Sequence, residues 1–192
     1  MRKFLTYSTV CIFAATALFS FKNDKKIILI DAGHGGEDHG ATQNNIAEKD
    51  IVLDIANMIK NSNRNEEVEI ILTRDSNESL SFVDRIKKIG EAKPDLVLSI
   101  HTNKTPKPNT NIGKEIYIQE NEASKKYGEI LSKNFDNCPL KTQNLHILRN
   151  STSPALVFEM GNISNENDFN YLNSDIGKRE ISRKILKFIE EI

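Results

Sequence analysis

From Lys25 onward, short runs rich in β-branched residues alternate with longer stretches whose apolar residues recur at helical spacing. "KKIILID", "VEIILTR" and "PDLVLSIH" carry consecutive Ile, Leu and Val between polar residues, the pattern of strands buried on both faces. "EKDIVLDIANMIKN" and "SFVDRIKKIGEA" lie between them and repeat their apolar positions every three to four residues, which predicts amphipathic helices. "KEIYIQE" alternates polar with apolar and predicts a strand with one face in water, antiparallel at a sheet edge. Further on, "NEASKKYGEILSKNF" reads as a helix, "PALVFEM" as a buried strand and "GKREISRKILKFIEEI" as a closing amphipathic helix. "NKTPKPNTNIG", with two prolines, three asparagines and a glycine, reads as a loop. The order predicts an α/β fold: a mostly parallel central sheet with helices on both faces and one antiparallel edge strand. No repeat and no second domain interrupts residues 25–192.

The first twenty residues break this pattern. "MRK" is a basic start, "FLTYSTVCIFAATALF" is apolar, and Ala15-Thr16-Ala17 is a small-x-small cleavage pattern, so residues 1–20 read as a secretory signal peptide. The other reading is an uncleaved membrane anchor, which the Thr and Ser residues inside the stretch disfavour. Cleavage implies export to the periplasm or cell envelope without stable membrane insertion. Cys138 is then the single cysteine of the mature chain, a structural thiol beside Pro139 rather than a nucleophile, and no internal disulfide forms.

Composition limits the chain to one core, since 192 residues at 38% hydrophobic and 28% charged suit a single globular domain. A net charge of -1, with Lys and Arg spread along the chain, argues against nucleic acid or an acidic lipid surface as partner.

The stretch "LIDAGHGGEDHGA" is absorbed by neither pattern nor composition. In open parallel sheets ligands bind beyond the carboxyl ends of the strands. His34 follows "IILID", His101 closes "DLVLSIH" and Glu159 closes "PALVFE", so three strand ends can present His, His and Glu on one rim. Each alone reads as a turn histidine or a solvated glutamate; their coincidence points to a site. Glu48 precedes Ile51 and Val52 by three and four residues, on the same helix face as Ile55 and Ile59, so its carboxylate aims inward. On an isolated helix it would only complement the macrodipole. Two histidines and a carboxylate with one position open form a catalytic zinc set. Gly33, Gly35 and Gly36 let the chain turn sharply after the strand, while "GHGGEDHG" lacks both the GxGxxG order and the Lys-Ser/Thr pair of phosphate loops.

In order and spacing, "IILIDAGHGGEDHGA", "EKDIVLDIA", "LVLSIHTN" and "LRNSTSPALVFEMGNISNENDFNYL" resemble the zinc-dependent N-acetylmuramoyl-L-alanine amidases, which trim bacterial peptidoglycan. The resemblance runs from about Lys25 to the C-terminus, making residues 25–192 the catalytic domain. It implies zinc held by His34, Glu48 and His101, with Glu159 as catalytic acid/base. The implied reaction is hydrolysis of the amide joining the muramoyl lactyl group to L-alanine, with Glu159 taking the proton of a zinc-activated water and passing it to the departing amine. The chain departs from the family at Ala32 and His39, where prolines are usual, and at Asn162, where an aromatic residue is usual. None of these removes a ligand. His39 reads as a surface residue or a neighbour of the ligands, and His146 as a cavity wall or an exposed residue. Arg149 and Asn103 are candidates for contact with substrate, Arg149 orienting a peptide carboxylate or an oxyanion unless it forms a structural ion pair.

Some members of the resembled family plug the site with an extra helix between the second histidine and the catalytic glutamate. The 57 residues between His101 and Glu159 are nearly used up by other elements, so activity without an activator is expected, unless "NKTPKPNTNIG" folds over the site as a lid. Two other classes compete: a non-catalytic peptidoglycan-binding regulator, which the filled ligand and acid/base positions argue against, and a zinc peptidase or deacetylase acting on another amide.

Overall fold

The computed structural model describes residues 25–107, 109–110 and 113–192. The signal-peptide reading of residues 1–20 lies outside the described residues. Strand β1 (Lys26–Ala32) leads through a hairpin of β2 (Thr42–Gln43) and β3 (Ile46–Ala47) into α1 (Glu48–Ser62). Then come β4 (Val68–Leu72), α2 (Phe82–Ala92), β5 (Leu96–Asn103), β6 (Glu115–Ile118) and α3 (Glu122–Asn134). The chain finishes with β7 (Leu140–Lys141), α4 (His146–Asn150), β8 (Ala155–Asn162), α5 (Glu166–Asn173) and α6 (Asp175–Glu191).

The six-stranded sheet has the order β4-β1-β5-β8-β6-β7. Every pairing in it is parallel except β6 with β8, so the antiparallel strand stands where the alternation of "KEIYIQE" puts it. It is not the edge: β7, only two residues long, pairs in parallel outside it.

Strand alternation divides the core in two. Ile28, Ile30, Leu96, Leu98, Ile100, Leu156 and Phe158 face the larger cluster, together with the buried stripes of α1 and α6. Ile51, Val52, Ile55 and Ile59 of α1 are all completely buried there, as their spacing predicts. Leu29, Val97, Ala155 and Val157 face a smaller cluster closed by Ile89 of α2 and by Ile147 and Leu148 of α4. These two helices, of 11 and 5 residues, are too short to cover that whole face of the sheet. Asp31, Ser99 and Glu159, next in period-two order after Leu29, Val97 and Val157, consequently line a cavity at the carboxyl ends of the strands.

α2 starts where Ser81 and Asp84 cap each other: Asp84 N–H donates to Ser81 Oγ at 3.1 Å, and Ser81 N–H donates to the Asp84 carboxylate at 3.2 Å. Cys138 is buried and unpaired, and burial pushes its thiol up to about 11. No helix among the described residues is long and apolar enough to cross a membrane.

Candidate metal centre and active-site cavity

After β1 the chain must pass between the ring of His101 and the first turn of α1. A Cβ on Gly33 would lie 2.2 Å from His101 Cε1, and one on Gly40, at φ +62°, would lie 2.6 Å from both Glu48 Oε2 and His34 Cδ2. Glycine at these two places is therefore a packing requirement of the ligands themselves. His34, between them, holds a left-handed φ of 57°, a conformation that a β-carbon disfavours and that persists only under constraint from its surroundings.

Two arginines supply that constraint. Arg74 is 1% exposed, and its guanidinium donates to the carbonyls of Ala32 (3.0 Å), Gly33 (2.7 Å) and Lys49 (2.9 Å), tying the turn that carries His34 to the start of α1. Arg85, reaching in from α2, donates to the carbonyls of Ala32 and His34 and pairs with Asp31. Asp31 also accepts from Thr73 Oγ1 and Ser99 Oγ, each at 2.7 Å. Burial works to raise the Asp31 pKa, but Arg85 and the two hydroxyls outweigh it and leave the carboxyl below its ordinary value.

Glu48, 3% exposed, opens α1 and points inward. Its Oε2 accepts from Ala41 N–H and its Oε1 from Thr102 N–H, both at 2.9 Å. Oε1 also lies 3.2 Å from His34 Nε2 and 3.1 Å from His101 Nδ1. One donor atom from each of His34, Glu48 and His101 falls within 4.8 Å of the others. Burial would raise the pKa of Glu48, yet the two imidazoles outweigh it and hold the carboxyl well below the usual carboxylate range. In the same way burial works to lower His34, while Glu48 and Asp38, whose Oδ2 is 2.9 Å from Nδ1, lift it to about 9.

This donor set fits zinc: two imidazole nitrogens and a carboxylate oxygen converge, and Asp38 engages the second nitrogen of His34 as carboxylates do behind metal-bound histidines.

Glu159 stands beside this cluster without joining it. In register it lies opposite His101 on β5 and Glu115 on β6, and its Oε2 is buried with no hydrogen-bond partner. Burial, reinforced by the charges of Glu48 and Glu115 and opposed by the histidines, raises its pKa to about 7. Glu115 itself is engaged by Lys141 and by the Tyr117 hydroxyl at 2.7 Å. His34, His101 and Glu159 line a cavity of about 470 Å³ together with the apolar side chains of Leu80, Phe82, Ile86, Leu145 and Ile147.

Other residues singled out from the sequence fall elsewhere. Arg149 is exposed, donates to Asn144 Oδ1 at 2.9 Å and lines a separate cavity with Gln119 and Glu120. Asn103 is half-buried at the end of β5, where its carbonyl accepts from Ile163 N–H at 2.8 Å, outside the lining of the cavity. His39 is exposed, its ring nitrogen 2.8 Å from the Glu37 carbonyl. His146 does form part of the cavity wall.

Asn162 is completely buried; its amide donates to Thr105 Oγ1 at 3.0 Å and to the Thr110 carbonyl at 2.8 Å, tying the loop after β5 to the end of β8. None of the described residues of that loop lines the cavity. Arg74, Arg85 and Phe82 escape the sequence reading. "LTR" gives one signal in hindsight, since an arginine directly at the end of a buried strand needs acceptors inside the protein.

Residues 28–191 match the family model described as N-acetylmuramoyl-L-alanine amidase. The endolysin of Bacillus phage SPP1 is 32% identical over 184 residues, covering 87% of this chain and 66% of that protein, so the chain spans just under two thirds of that relative. Among solved structures, the catalytic domain of CwlV, an N-acetylmuramoyl-L-alanine amidase from Bacillus (Paenibacillus) polymyxa var. colistinus, superposes with a TM-score of 0.81 at 29% identity, over 86% of this chain and 97% of that one. The CwlD amidase from Clostridioides difficile, solved in complex with the GerS lipoprotein, shares the fold with a TM-score of 0.78 at 23% identity, over 87% and 98% of the two chains.

Proposed function

The chain belongs to the N-acetylmuramoyl-L-alanine amidase family, and on that footing we propose that it is a peptidoglycan hydrolase cleaving the amide between N-acetylmuramic acid and the L-alanine of the stem peptide. The observation that carries the mechanism is that His34 and His101, which converge with Glu48 as three possible metal donors, line one cavity with Glu159, whose Oε2 is buried and has no hydrogen-bond partner.

His34, Glu48 and His101 would hold the zinc, and Glu159 would remain free of it. Bound there, zinc supplies Lewis acidity, polarising a carbonyl and acidifying water. The residues do the rest. Glu159 takes a proton from the attacking water at its carboxylate and hands it to the nitrogen of the departing L-alanine. A raised pKa of about 7 suits a group that must both accept and release that proton. Asp38 fixes the ring of His34 through Nδ1, while the Ala41 and Thr102 amides fix the Glu48 carboxylate, so the donors are oriented before any ligand arrives. Leu80, Ile86, Leu145 and Ile147 give the cavity apolar lining, which limits water beside the reacting groups.

The activity belongs to the cell envelope, where its substrate lies and to which a cleaved signal peptide would direct it. Independence from an activator draws no support from CwlD, which was solved with a lipoprotein bound; it rests on the open cavity and on the pinning of the loop after β5 by Asn162. The test uses the purified chain alone on isolated sacculi. Stem-peptide release should stop on chelation, return with zinc, and never appear in a His34→Ala protein. Release that persists through exhaustive chelation would defeat the proposal.

A further inference from the structure

Among the described residues the most exposed large apolar side chains are Phe82, Val83 and Ile176, at 64%, 73% and 79%. Of these, Phe82 belongs to the wall of the cavity that ends in His34, His101 and Glu159. It stacks on His146, with ring centroids 4.7 Å apart and planes 30° from parallel. The pair joins the first residue of α2 to the first residue of α4. A phenylalanine that keeps most of its surface in water although one neighbour already covers it is an open aromatic face, and covering it with an apolar ligand surface is favourable. The capping pair of Ser81 and Asp84 fixes where α2 begins and hence where this ring stands. Leu145 and Ile147 continue the apolar wall below it.

Charge decides which part of a substrate fits. Apart from its histidines, the one basic side chain lining this cavity, among the described residues, is Arg85, and it is used up by Asp31 and by the Ala32 and His34 carbonyls. Asp38, the exposed acid of the lining, is engaged with His34. Around Phe82 the cavity therefore offers aromatic and aliphatic surface and no free arginine or lysine to receive a carboxylate. A stem peptide brings carboxylates. The sugar ring of a glycan strand is neutral there, and the C–H face of a pyranose is the apolar surface that an aromatic ring covers.

We propose that Phe82 and His146 form a platform for a neutral N-acetylated pyranose of the glycan strand, setting the sugar beside the amide to be cut. The proposal rests on the amidase reading, in which sugar and scissile amide are joined by a single lactyl group and must share one cavity; about 470 Å³ is enough for a ligand of that size.

The experiment uses the zinc-loaded full chain and two probes: chitobiose, a neutral disaccharide of N-acetylglucosamine, and a free stem pentapeptide. Phe82→Ala and His146→Ala should each weaken chitobiose binding about fivefold in an NMR titration, and Phe82→Tyr should restore it. On a disaccharide-peptide substrate the same two alanine variants should raise KM by a similar factor, with kcat and zinc content kept. Ile176→Ala, exposed and outside the cavity lining, should change nothing. Failure of the parent chain to bind chitobiose, unchanged binding in both alanine variants, or a loss confined to the pentapeptide would each overturn the platform. Phe82-dependent chitobiose binding by a chain that releases no stem peptide would uphold the platform and defeat the amidase reading instead; amidase activity with chitobiose binding indifferent to Phe82 would do the reverse.

Discussion

Glu159 and Glu48 are carboxylates at one site in opposite electrostatic states. Glu48 is buried and faces two imidazoles and two backbone amides, whereas Glu159 is half-buried, its buried Oε2 meets no partner, and the side chain also feels Glu115 across the sheet. Burial without a partner keeps Glu159 fit for proton transfer; burial with partners makes Glu48 a fixed anion. Glu159→Gln preserves shape but accepts no proton, so the variant should keep its zinc by elemental analysis while turnover falls by roughly two orders of magnitude or more. A second prediction concerns Arg74, whose guanidinium bridges the His34 turn and the start of α1. Arg74→Lys keeps the charge and loses the fork. Zinc affinity measured by competition with a chelator should drop about tenfold, as for other groups that orient metal ligands from behind; unchanged affinity would show that the turn holds itself.

At the scale of elements, α2 depends on its cap. Ser81→Ala removes the acceptor for Asp84 N–H and should cost about 1 kcal/mol in a denaturant titration. The cluster of His34, Glu48 and His101, braced by Arg74 as well as by Arg85, should survive the change. How much of the molecule is legible in the sequence also differs by element. β1, β4, β5 and β8, α1 and α6 follow directly from period, because long apolar runs and stripes leave few alternatives. The antiparallel direction of β6 was legible in its alternation; its place inside the edge was not, because β7 is too short to leave a pattern. α4 and α5, of five and eight residues, hold too few apolar positions to show helical spacing. Strand ends and one helix face point to the same neighbourhood for His34, His101, Glu159 and Glu48 that the structure gives them. Arg149 and Asn103 had no such geometric support, and the structure sets both outside the cavity.

For the whole molecule, acid and base act on stability through different groups. The folded-state pKa of Asp31 is lowered, so its contribution is present above its unfolded value near 3.8 and is lost as pH falls through the folded value. Asp31→Asn should therefore destabilise the protein at neutral pH and much less in strong acid, read from melting temperatures across pH. Glu159 has the opposite sign: with its folded pKa raised to about 7, the native state holds a proton that the unfolded state releases above about 4.5, and stability declines as pH rises between the two values. In chelated protein, Glu159→Gln should accordingly gain melting temperature over the parent above neutrality and little below the unfolded value.

The central claim, that this cavity opens the bond between glycan and stem peptide, is tested most directly by the mass and amino terminus of what the zinc-loaded chain releases from purified peptidoglycan. Intact stem peptides beginning with L-alanine, together with glycan strands that have lost their peptides, are the expected products. Fragments cut within the peptide, or sugars that have lost only an acetyl group, would contradict it.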